Sequence, residues 1–92
     1  MLTLRLYVAG DAPNSCEARA NLAAILAGHA ADEYELEEID FLREPLRAMD
    51  DGVIVTPTLV KVTPPPLQKV IGTLRERTRV LAVLGLADTP HA

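Results

Sequence analysis

Tryptophan is absent, and two tyrosines and one phenylalanine make up the whole aromatic content. A core must therefore be aliphatic, and the 49% of apolar residues supplies enough Leu, Val, Ile and Ala to build one. Cysteine occurs once, at Cys16, which excludes an internal disulfide and a Cys-rich zinc site. A lone thiol suits a reducing cytoplasm, the expected location. No apolar run approaches the roughly 18 residues that a membrane span needs. Basic residues are also few: nine Lys and Arg stand against thirteen Asp and Glu, for a net charge of -4. Nucleic acid is therefore not an expected partner, since phosphate binding leaves a basic footprint.

The 92 residues suit one domain, with no internal repeat, linker or low-complexity tract. Leu2, Leu4, Leu6 and Val8 alternate with polar neighbours, which predicts a strand with one buried face. The opening MLTLRLYVAG reads as that strand, not as a signal peptide. Gly10 ends it. Asn14 as N-cap and Glu17 as its capping-box partner predict a helix over 14–27, with Ala18, Leu22, Ile25 and Leu26 on one face and Gly28 as the stop. Residues 34–40 read as a short or edge strand, because Glu37 and Glu38 interrupt the alternation. Pro45 suits a first helical turn. Leu42, Leu46 and Met49 then share one apolar stripe of a short helix ending near Gly52. Residues 53–55 and 58–62 are strand material on either side of Thr56-Pro57. Pro64, Pro65 and Pro66 cannot donate to a ladder, so the next strand takes 67–71. Thr73 and Glu76 predict a second capping box and a last helix with Leu74, Val80, Leu81 and Leu84 on its inner face, ending near Gly85. The tail 87–92 is expected to fray. The order is β-α-β-α-β-β-α.

That order, with Thr56-Pro57 entering the third strand, resembles the thioredoxin-like arrangement, but Ala12-Pro13-Asn14-Ser15 stands where redox members carry CxxC. More specifically, LRLYVAG (4–10), APNS (12–15), Ile39-Asp40, Pro45, TPTL (56–59), PPP (64–66), VIG (70–72) and RVL (79–81) together resemble the KaiB family of bacterial clock proteins. The resemblance implies a single thioredoxin-like domain without catalytic activity or cofactor. It implies binding to the ATPase ring of a hexameric KaiC-type partner, in a clock or a stress-signalling system. It also implies a second form, a β-α-β-β-α-α-β ground-state tetramer, and hence a fold switch, with a homo-oligomer, tetramer or dimer, as a further partner state. Glu17 and Glu37 stand where cyanobacterial members tend to carry basic residues, and the chain ends on ADTPHA where those members run into an acidic tail. These departures count against KaiA as a partner. Val83 and Gly85 replace a typical Gly and Asp. Val is the better helix former, and Gly85 falls at a natural stop, so both favour the thioredoxin-like form. That form is expected to have residues 75–84 helical and the Thr56-Pro57 bond cis.

The same superfamily places the first helix N-terminus beside the cis-proline loop. The expected partner surface is therefore Asp11, Pro13, Asn14, Ser15, Ile54, Thr56 and Pro57, extended along the next strand to Lys61. Fold-switch positions are Pro57, Pro64, Pro65, Pro66, Val83 and Gly85; slow X-Pro isomerisation is one functional reading of the prolines and a stiff hairpin connection the other. Cys16 reads as a small packing residue, with a redox sensor as the alternative, and a free-standing sensor module for another protein partner is a third possibility. His29 and His91 read as surface residues without metal-ligand neighbours. The acidic run from Asp32 to Glu38 reads as a solvated edge. Arg75, Arg77 and Arg79 read as a solvated helix face, with a partner contact as the alternative.

Overall fold

Alternation along Leu2–Val8 puts β1 at the centre of the molecule, because both of its faces are covered. The computed structural model describes residues 1–86. The elements are β1 (Leu2–Val8), α1 (Pro13–Leu26), a 3-10 turn (Ala31–Glu33), β2 (Tyr34–Asp40), α2 (Pro45–Asp50), β3 (Thr58–Thr63), β4 (Gln68–Ile71) and α3 (Arg77–Leu84). The sheet runs in the order β2-β1-β3-β4. β1 and β2 are parallel across the α1 crossover; β3 lies antiparallel to β1, and β4 to β3. β2 is thus an edge strand, as its charge pattern requires.

The even residues of β1 face α1 and α3. Leu2, Leu4, Leu6 and Val8 form one core with Ala18, Leu22, Ile25 and Leu26 of α1, Leu59 and Val70 of the sheet, Leu74, and Val80, Leu81 and Leu84 of α3. A smaller core lies on the opposite face, where Tyr7, Ile39 and Val60 meet Ala48 of α2 and Val53.

Several local expectations are corrected. Pro13 takes the first helical position of α1, so Ala12 is the N-cap and Asn14 lies inside the helix, with no side-chain cap. The Thr73/Glu76 box does not form either. Leu74 adopts a left-handed φ of 63°, Asn21 Nδ2 donates to the Thr73 carbonyl at 2.8 Å, and α3 starts at Arg77 instead of residue 75. Residues 53–55 are not a strand, because pairing with β1 begins only after Pro57. Gly85 ends α3 in the left-handed conformation, the expected stop. The Thr56-Pro57 bond is cis, as are Thr63-Pro64 and Pro65-Pro66. The expected fraying of 87–92, and His91 with it, lie outside the described residues.

Candidate functional site

α2 is six residues long and sits on the sheet face opposite α1 and α3. Its inward residue is Ala48, which is 1% exposed. The predicted stripe forms, but it faces solvent. Leu42 in the turn before the helix is 73% exposed, Leu46 is 71% and Met49 is 72% exposed. Beyond the Gly52 turn, Ile54 is 83% exposed and Val55 is also on the surface. Scattered apolar residues on a surface are ordinary, but these lie together along one side of α2 and its flanking turns.

Polar side chains hold this inverted helix to the sheet. Tyr7 Oη donates to Asp51 Oδ2 at 2.5 Å and lies 3.0 Å from the Arg47 carbonyl. Burial, reinforced by the bond to Asp51, pushes the Tyr7 hydroxyl well above the usual tyrosine range, so it remains a donor. Arg5 Nη1 donates to both Asp51 oxygens at 2.9 Å. Arg47 makes a bidentate pair with Glu37 at 2.5 and 2.7 Å, which holds the Glu37 carboxyl below its ordinary range. Lys69 Nζ donates to the Gly52 carbonyl at 3.0 Å. Asp40 Oδ1 accepts from the Leu42 N–H at 2.9 Å and shapes the turn into α2.

The expected partner surface is only partly on the outside. Asp11, Pro13, Asn14 and Ile54 are exposed, and Thr56 is half-buried. Three of the named residues are corrected. Ser15 is buried, with Oγ accepting from the Ala9 N–H at 3.0 Å. Pro57 is buried beneath its loop, where its carbonyl accepts from the Gly72 N–H. Lys61 is buried and spends its ammonium on the Pro64 carbonyl at 2.8 Å, so it cannot act as a rim charge. The period of the α2 stripe was legible in sequence. Its outward direction was not.

Other residues also find definite places. Cys16 is exposed and not a packing residue; its Sγ lies 3.5 Å from the Asp11 carbonyl and 3.7 Å from Arg19 Nη1. His29 is not a plain surface residue. Its ring is mostly buried, Nδ1 sits 3.5 Å from Glu33, and Nε2 has no hydrogen-bond partner among the described residues. The two departures noted above, Glu17 and Glu37, each meet an arginine of this chain. Glu17 pairs with Arg75 through two bonds, which lower its carboxyl, and Glu37 pairs with Arg47. Glu38 pairs with Arg19 at 2.6 Å, so two of the five carboxylates of the acidic run meet an arginine of this chain. Arg77 donates to the Ala24 carbonyl at 3.4 Å, and Arg79 is exposed. Among the described residues, no cluster of His, Cys, Asp and Glu could hold a metal ion, and no helix is long and apolar enough to cross a membrane.

A mixed four-stranded sheet with helices on both faces, a cis-proline entering β3 and no CxxC defines a thioredoxin-like protein without the redox pair. Mitochondrial thioredoxin 3 of Saccharomyces cerevisiae has the same fold, at TM-score 0.74 and 16% identity over 91% of this chain and 76% of its own. The N-terminal domain of SasA from Synechococcus elongatus superposes at TM-score 0.73 with 26% identity, covering 98% of this chain and 89% of that domain. The KaiB domain model matches residues 5–86, so the chain belongs to the KaiB family. The circadian clock oscillator protein KaiB of Acaryochloris marina is 48% identical over 83 residues, 90% of this chain and 80% of that protein. The circadian clock protein KaiB3 of Synechocystis is 43% identical over 90 residues, 98% of this chain and 86% of that one.

Proposed function

We propose that this chain is a clock-type regulator that acts by docking on a KaiC-type ATPase ring, with no catalysis of its own. Family membership and relatives named as circadian clock proteins support the class of function. The observation that carries the mode of action is the outward stripe of Leu42, Leu46 and Met49, continued by Ile54. Burying one such leucine against a partner contributes about 1.5–3 kcal/mol, so three or four of them can anchor a complex. Of the surface expected from sequence, Ile54 extends the stripe directly. Asp11, Pro13 and Asn14 are the exposed remainder, at the start of α1. Beside the stripe, the Glu37 carboxylate is already compensated by Arg47 of α2.

The test is size-exclusion chromatography of the purified protein, alone and with a KaiC homologue plus nucleotide. Co-elution is expected, and Leu46→Asp abolishes it by placing an unpaired charge in the contact. Co-elution that survives Leu46→Asp and Met49→Asp together would move the docking face elsewhere. Failure to co-elute with any nucleotide would favour a different protein partner.

A further inference from the structure

α2 poses a physical problem. A six-residue helix does not persist by itself. Helices are ordinarily held by burying their large apolar residues, yet Leu46 and Met49 point away from the sheet and only Ala48 points in. Something else must keep α2 in place. The candidates are the polar attachments at its C-terminal end. Asp51, the C-cap residue, is buried and receives Tyr7 Oη and Arg5 Nη1. One residue later the Gly52 carbonyl takes Lys69 Nζ, and Gly52 has a left-handed φ of 69° that L side chains rarely adopt. Val53 N–H then closes on the Ala48 carbonyl at 2.8 Å. Hence β1 and β4 grip the same turn, which lies between the stripe and Ile54.

We propose that Tyr7 and Asp51 are positioning residues, which clamp α2 to the sheet with its apolar stripe outward and so keep the docking face assembled. The inference rests on the stripe being the docking face. It differs from a general stabilising role because the larger core, on the other side of the sheet, contains neither residue. Loss of the clamp therefore frees α2 locally while β1, α1 and α3 stay packed, which is local unfolding of one segment. If α2 is docked in only a tenth of the molecules, apparent affinity falls about tenfold, because only the competent fraction binds.

The variants are Tyr7→Phe, which keeps the ring and removes the hydroxyl, and Asp51→Asn, with Leu46→Asp as the control on the face itself. Two quantities are read. One is amide hydrogen exchange of the free protein at residues 45–53 and at residues 77–84. The other is the pair of rate constants with a KaiC-type ATPase. In both clamp variants, exchange at 45–53 rises at least tenfold and exchange at 77–84 changes less than twofold. The association rate falls in proportion to the fraction of molecules that keep α2 docked, and the dissociation rate is unchanged. Leu46→Asp leaves exchange at 45–53 as it was and removes binding. If exchange in the clamp variants rises equally in both segments, or not at all, the clamp is not a positioning device. If it rises only at 45–53 while binding is unaltered and Leu46→Asp still abolishes binding, the face is right and the clamp inference is overturned. If Leu46→Asp binds normally, the docking face is wrong and the clamp loses its purpose with it.

Discussion

On one face of the sheet, α1 and α3 are held by a continuous aliphatic core running from Leu2 through Leu22 to Leu84. On the other, α2 is held by Tyr7, Asp51, Arg5, Glu37, Arg47 and Lys69, with Ala48 and Val53 as its small apolar contact. The first arrangement is non-directional and tolerates any helix with an apolar stripe turned inward. The second is directional, and it frees the stripe to face outward. One layer supplies stability, and the other presents surface.

The sharpest way to break that contrast is to truncate a leucine on each side. Leu22→Ala, inside the larger core, should destabilise by about 2–5 kcal/mol through lost burial and a residual cavity. Leu46→Ala, on the exposed stripe, should change stability by no more than about 0.5 kcal/mol. Urea midpoints at neutral pH, at unchanged m-value, measure both. Equal losses would mean that the stripe is packed against something in the free protein.

A smaller effect belongs to the clamp. Asp51→Asn should cost about 1–3 kcal/mol, since Tyr7 and Arg5 lose a buried charged acceptor. Combined with Tyr7→Phe, the loss should be less than the sum of the two single variants, with a coupling of about 1 kcal/mol. Strict additivity would show that the two groups do not share one bond.

These two layers were not equally legible in sequence. Alternation in β1, the inward stripe of α1, the edge character of β2 and the Gly85 stop all depend on neighbours a few residues apart, and each appeared where periodicity placed it. The clamp joins residues that are 44 and 46 positions apart, so no local pattern announces it. For α2, period shows which residues share a side but not which way that side points. The direction is set by Ala48, small enough to approach the sheet, and by the polar ties at the helix end. Misplaced caps have a similar cause. Thr73 looked like an N-cap, but Asn21 takes its carbonyl and Arg75 turns to Glu17, so the chain is held against α1 before α3 can begin. The thioredoxin-like resemblance put Lys61 and Ser15 on the partner surface, yet each satisfies a backbone atom from the inside.

Acidification should separate the ion pairs that serve each layer. Arg75 holds Glu17 below its ordinary value of 4.5, and Arg47 does the same to Glu37. A depressed carboxyl contributes stability that is present above the unfolded value and lost as pH falls through the folded one. Midpoints of urea unfolding should therefore decline below about pH 4.5, and Glu17→Gln or Glu37→Gln should each flatten the decline slightly. Both pairs are exposed, so the effect is small and shrinks in high salt. In Glu37→Gln the accompanying rise in exchange should be confined to residues 45–53, and in Glu17→Gln to residues 73–76. A steeper acid decline in either variant would reverse the assigned sign.

Cys16 gives the smallest expected effect, and it tests the presenting side from a distance. Its thiol is exposed on the first turn of α1, near Arg19 and the Asp11 carbonyl, outside both cores. Arg19 is held independently by Glu38 at 2.6 Å and the Gly10 carbonyl at 2.7 Å, so it does not need the sulfur. Serine in the same place keeps a polar hydroxyl in a first turn that accepts it readily. Cys16→Ser should thus alter stability by less than about 0.5 kcal/mol. Affinity for the proposed KaiC-type partner should stay well within a tenfold change, about 1.4 kcal/mol. The wild-type protein should likewise leave insulin disulfides intact, since one thiol without a resolving partner cannot complete the exchange. A tenfold loss of binding in Cys16→Ser, with exchange at residues 45–53 unchanged, would extend the docking face to the start of α1 and make the thiol part of it.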